Sequence, residues 1–133
     1  MSFSLDIEID VRADKGCVLG ILQDMHFLVY EEDMGSIRGN FPESNMYAIV
    51  RWVADEGQVA PRTEGADFAK NWKIGVRASF YYVIGEYEKC SLEMHKFLEM
   101  IDKRTEAFFI LSFQMEEVYA IKDDSGVRIV GEF

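Results

Sequence analysis

Three carboxylates at alternate positions, Asp6, Glu8 and Asp10, are the residues of this chain whose spacing could do chemistry. Alternate residues of a strand share a face. The three would stand side by side, with Phe3, Leu5, Ile7, Ile9 and Val11 on the other face. Such a row could hold a hard cation or attract a cationic partner. Calcium wants roughly six or more oxygens wrapped around it, which a flat strand does not offer. A solvated acidic face is the reading that remains for Asp6, Glu8 and Asp10 at this point.

Other chemistry finds less support. His26 and His95 fall on different predicted helices, neither with a second ligand at metal spacing. Asp123-Asp124-Ser125-Gly126 lacks the spacing of a calcium loop. There is no Gly-x-Ser-x-Gly elbow, and the glycines are too scattered for a phosphate-binding loop. Cys17 and Cys90 both sit in apolar helical stripes and read as buried thiols, and a disulfide between them stays open. Phe80-Tyr81-Tyr82 lacks the basic neighbours that single-stranded nucleic acid wants. The expectation is a protein that is not an enzyme, with no metal and no cofactor.

Composition narrows the partner. The chain has 133 residues, with 24 acidic against 14 basic, for a formal net charge of −10. Nucleic acid and anionic membrane surfaces both call for clustered Lys and Arg, so neither is expected. A basic protein is the partner such a charge would attract. The same acid also serves solubility alone, and both readings stay open. No apolar run reaches the length of a membrane span, and the N-terminus lacks the pattern of a signal peptide, so a cytoplasmic setting is expected.

The elements that must position these residues fit one domain over 1–133. After the first strand, Asp14 can cap a helix running to about Tyr30, with Cys17, Val18, Ile21, Leu22, Met25, Leu28 and Val29 on one side. A strand over Ser36 to Phe41 and a turn at Pro42-Glu43-Ser44-Asn45 follow. Met46 to Ala54 reads as a strand buried on both faces, with a short helix as the competing reading. Asp55 to Asn71 reads as a surface loop with one helical turn near Asp67 to Lys70. Trp72 to Ile84 is a strand and Glu86 to Lys103 a helix. Ala107 to Met115, Val118 to Lys122 and Val127 to Val130 then form a meander. The fold class is α+β: a mainly antiparallel sheet of six to seven strands with two helices on one face. The order along the chain also suggests a duplicated strand-helix-strand-strand module.

Helices on one side would leave the other face of the sheet open. Asp6, Glu8 and Asp10 would point there, beside Arg77, Tyr81, Phe108, Ile110, Ser112 and Gln114. The competing arrangement folds Asp55 to Asn71 across that face as a second, smaller core.

In plan, the whole chain resembles the small acidic immunity proteins of bacterial polymorphic toxin systems, which include contact-dependent and type VI effectors. The most suggestive stretch is the helix carrying Cys90 to Ile101 and the strands from Phe108 to Ile121; Phe41-Pro42-Glu43-Ser44-Asn45 is a second marker. The resemblance implies a cytoplasmic inhibitor, made beside its cognate toxin, that blocks the toxin's active site or substrate groove. Asp6, Glu8 and Asp10 would steer the encounter. Trp52, Arg77, Tyr81 and Tyr119 are the candidate anchors, and Gln114, on the face of Arg77 and Tyr81, is a further candidate contact. The molecule would be a monomer or a weak homodimer.

Two rivals stand beside this. Paired strand-helix-strand modules also build the vicinal-oxygen-chelate fold of glyoxalase-like proteins, but those place His and Glu ligands on strands, and both histidines here read as helical. A small-molecule binder on a related scaffold is the remaining form of that reading. The other rival is a homo-oligomeric structural module that pairs its apolar sheet face with its own copy.

Overall fold

The computed structural model describes residues 2–53 and 59–133. Its strands are β1 (Ser2–Asp10), β2 (Leu28–Glu32), β3 (Ser36–Phe41), β4 (Met46–Trp52), β5 (Ile74–Val83), β6 (Phe109–Phe113), β7 (Glu117–Asp123) and β8 (Gly126–Ile129). The helices are α1 (Lys15–Asp24) and α2 (Tyr87–Arg104). All eight strands join one antiparallel sheet in the order β2-β3-β4-β5-β1-β6-β7-β8. The fold is therefore α+β with two helices, as the sequence predicts, with one strand more than the upper count.

The extra strand comes from the end of the first helix. The sequence predicts helix to about Tyr30, but α1 stops at Asp24. Asp14 caps its start by accepting a hydrogen bond from the Cys17 N–H at 2.7 Å. At its end His26 turns left-handed, with φ 63°. The His26 N–H then donates to the Gln23 carbonyl and the Phe27 N–H to the Leu22 carbonyl. This is a Schellman ending built on histidine rather than glycine. Phe27 is buried against Phe41, ring centroids 5.0 Å apart, and that anchor turns the chain. Leu28-Val29-Tyr30, β-branched and aromatic in part, continues as strand β2.

Strand β1 sits near the middle of the sheet, between β5 and β6. Leu5, Ile7 and Ile9 are wholly buried under the helices, together with Val18, Ile21, Phe80, Met94, Phe97 and Leu111. Each such side chain contributes about 1.5–3 kcal/mol by leaving water. Met46–Trp52 takes the strand alternative, with Ala48, Ile49 and Val50 buried. The helical turn expected near Asp67 is a short 3₁₀ turn at Asp67–Ala69. Residues 54–58, where the β4 strand and the loop were expected to meet, lie outside the described residues. Cys17 and Cys90 are free thiols; Cys90 is buried and Cys17 half-buried.

The repeated order along the chain does not become a repeated arrangement in space. Strands β2, β3 and β4 run from the sheet edge inward, whereas β6, β7 and β8 run from the centre outward. Both β5 and β6 pair antiparallel with β1, so β5-α2-β6 is a crossover split by the inserted first strand. No helix of the described residues is long and apolar enough to cross a membrane.

Candidate functional site

The face opposite the helices is not open over β5, β1 and β6, which corrects the expectation for the first-strand acids. Residues 59–72 fold across it, the smaller-core alternative. Glu8 is 0 % exposed, Asp10 5 % and Asp6 9 %. Each has its own partner. Glu8 lies opposite Arg77 in the β1–β5 register, and the Arg77 Nε–H donates to its carboxylate at 2.9 Å. The Arg62 and Thr63 backbone N–H groups donate to the same carboxylate at 2.9 Å, and the Thr63 hydroxyl at 2.6 Å. Arg77 spends another N–H on the Ala60 carbonyl, at 2.8 Å. One buried ion pair thus bolts residues 60–63 to the sheet.

Asp6 accepts from the Ser79 hydroxyl at 2.6 Å, directly across the register. Burial is the main effect on it and holds its carboxyl above the ordinary value; the Ser79 hydrogen bond works the other way. Asp10 is gripped by the Arg12 guanidinium at 2.6 Å, and that guanidinium lies over the Phe108 ring at 3.9 Å. A small second core of Ala66, Ala69 and Ile110, flanked by Trp72 and Val118, completes the seal. The acids that alternate along β1 are structural groups, with no water-facing row left to steer a partner.

The remaining expected site residues scatter. Arg77 is buried in the Glu8 network. Trp52 packs half-buried against the helix-side core, with the Lys15 ammonium 5.6 Å from its ring centroid. Tyr81 is half-buried on the far face, its ring 5.7 Å from that of Tyr47. Tyr119 lies between Phe113 and Phe133 at the other end of the sheet. Gln114 is exposed in the β6–β7 turn, where it and Met115 both hold positive φ, at 52° and 64°. The structure brings Asp6, Glu8 and Arg77 into neighbouring register positions and leaves Trp52, Gln114 and Tyr119 elsewhere.

What sequence reasoning missed is β2. All five of its residues are exposed, and it is an edge of the sheet with a single strand neighbour. Leu28, Val29 and Tyr30 are among the large apolar side chains left in water, and the nearby Met34 is 97 % exposed. Glu31, Glu32 and Asp33 follow directly in the chain and are exposed too. Asp33 accepts from the Gly35 and Ser36 N–H groups at 2.8 Å, bonds that hold its carboxyl below the usual range. On the helix side β2 borders a hollow of about 280 Å³ lined by Leu19, Leu22, Gln23, Phe27, Val29 and Ile37. The signal that marks β2 is local: Val29 and Tyr30 favour a strand, although Leu28 and Val29 also continue the helical spacing of α1.

A second hollow, of about 460 Å³, lies where the end of α1, the β3–β4 turn and α2 meet. Met25, Pro42 and Leu92 give it apolar walls; Glu43, Glu93, Lys96 and His26 are also there. Burial pushes the Glu93 carboxyl up, opposed by a hydrogen bond with Ser44 and reinforced by Glu43. His26 and His95 are both exposed, the latter stacked on Phe133 with centroids 4.0 Å apart. Among the described residues no three His, Cys, Asp or Glu side chains gather as a metal site. No protein-family model matches the chain, and no curated protein matches it.

Proposed function

We propose that this chain is a binding protein that neutralises a basic protein partner, acting as the immunity protein of a cognate bacterial toxin in the cytoplasm. The observation that carries this reading is where the charge sits. Among the described residues burial removes only three acidic and two basic side chains from the surface, so most of their acid surplus stays on the outside. An acidic surface beside exposed apolar side chains suits a basic cleft, where charge speeds the encounter and apolar contacts hold the complex. The partner role is binding and occlusion rather than catalysis.

The test is co-expression with the toxin domain encoded immediately beside this gene. Rescue of growth, together with a purified complex whose association slows steeply with salt, supports the reading. No rescue, with neighbouring genes unrelated to toxins, contradicts it. The 460 Å³ hollow favours a second reading, a small-molecule binder, since its size falls within the usual range of ligand pockets. A thermal-shift panel of small ligands separates the two: stabilisation that is lost in Leu92→Arg would favour the hollow, and a blank panel the protein partner.

A further inference from the structure

Resting on that reading, we propose that β2 is the docking strand, and that it takes an extended basic segment of the partner as a ninth strand of the sheet. A sheet edge offers a row of backbone N–H and C=O groups, and natural proteins guard such edges or use them. The two edges of this sheet differ. The exposed side chains of β8 and the residue after it are Val127, Arg128, Ile129 and Val130, with no carboxylate among them, and Arg128 is locked to Asp123 of its own hairpin at 2.9 Å. At β2, Glu31 and Glu32 make no ion pair among the described residues, and the flank holds the Leu19–Ile37 hollow.

The register states what fits. Leu28 and Val29 lie opposite Asn40 and Gly39, Tyr30 is bulged, and Glu31 and Glu32 lie opposite Arg38 and Ile37. Val29 and Glu32 therefore share the helix side, and Leu28 and Glu31 the far side. An incoming strand continuing the antiparallel sheet meets acid first and apolar side chains second. From its N-terminus it carries two basic residues followed directly by two apolar residues, because the bulged Tyr30 takes no residue opposite it. One apolar side chain then enters the hollow beside Val29. A second copy of this chain fits poorly: antiparallel self-pairing about Tyr30 sets Leu28 against Glu32 and Val29 against Glu31, between two molecules each of net charge −10.

The probe is a hairpin peptide closed by an Asn-Gly turn whose free strand reads Lys-Arg-Val-Ile, titrated into the labelled full chain. The proposal expects binding at about 100 μM or tighter in low salt, with shift changes and slowed amide exchange concentrated on residues 28–32. Glu31→Lys with Glu32→Lys should weaken it by about tenfold or more. Glu116→Lys with Glu117→Lys, an exposed acidic pair at the β6–β7 turn, should not. No binding by about 1 mM, equal loss in both double variants, changes centred on another surface, or a β2-paired homodimer that excludes the peptide would each overturn it. Failure here is distinct from failure of the functional reading. A rescuing toxin complex in which residues 28–32 exchange as in the free chain removes the docking strand and leaves the inhibitor.

Discussion

Strands β1 and β2 both mix acid with apolar residues, and the fold uses them in opposite ways. In β1, Glu8 is 0 % exposed and takes hydrogen bonds from three residues. In β2, Glu31 and Glu32 are exposed at an edge that pairs only with β3 among the described residues. The difference is position in the sheet. A central strand has neighbours on both sides and chain packed over its faces, so its charges must be paired or hydrogen-bonded. An edge strand carries no such constraint, and its charge is free to meet another molecule. Acid that catches the eye in a sequence can be the acid least available for binding.

The largest predicted effect would break the β1 side of this contrast. Glu8→Ala leaves Arg77 buried without its carboxylate and should destabilise the fold by about 3–5 kcal/mol in urea unfolding. Replacing both, Glu8→Leu with Arg77→Met, should cost clearly less than Glu8→Ala, because no lone charge remains. Next comes the seat of β2. A Cβ at Gly39 would overlap the Leu28 carbonyl and crowd Phe27. Gly39→Ala should therefore cost about 1–3 kcal/mol, with amide shifts centred on residues 27–32.

Smaller effects sharpen the comparison. Burial holds the Asp6 carboxyl above its ordinary value, so the folded chain keeps that proton more tightly than the unfolded chain. The stabilisation linked to this proton is fully present below about pH 4 and lost as pH rises through the folded value. Asp6→Asn, which can still accept from Ser79, should raise the thermal midpoint by a few degrees at neutral pH, with the gain fading toward pH 4. Least of all in stability is Glu31→Lys with Glu32→Lys. Unfolding should move by no more than about 0.5 kcal/mol, while association with the basic partner at low salt slows by about tenfold.

Much of the fold was legible because its signals are local. β3 matches the predicted Ser36 to Phe41, and α2 lies within a residue of the predicted helix at each end. The Asp123–Gly126 turn has its glycine at φ 94°, as a hairpin of this kind requires. The site was less legible, for two physical reasons. Whether Glu8 meets water depends on Arg62 and Thr63, more than fifty positions away, and no period along β1 encodes that contact. The end of α1 rests on a left-handed His26 held by Schellman hydrogen bonds and on Phe27 finding Phe41. Leu28 and Val29 continue the helical spacing well enough to hide the break.

Amide exchange of the purified chain with and without its cognate toxin domain tests the central claim most directly. The account predicts new protection along residues 28–32, with Arg62, Thr63 and the β1 amides exchanging as they do in the free protein. New protection centred on β1 and β5, with residues 59–72 opened to solvent and β2 unchanged, would contradict it.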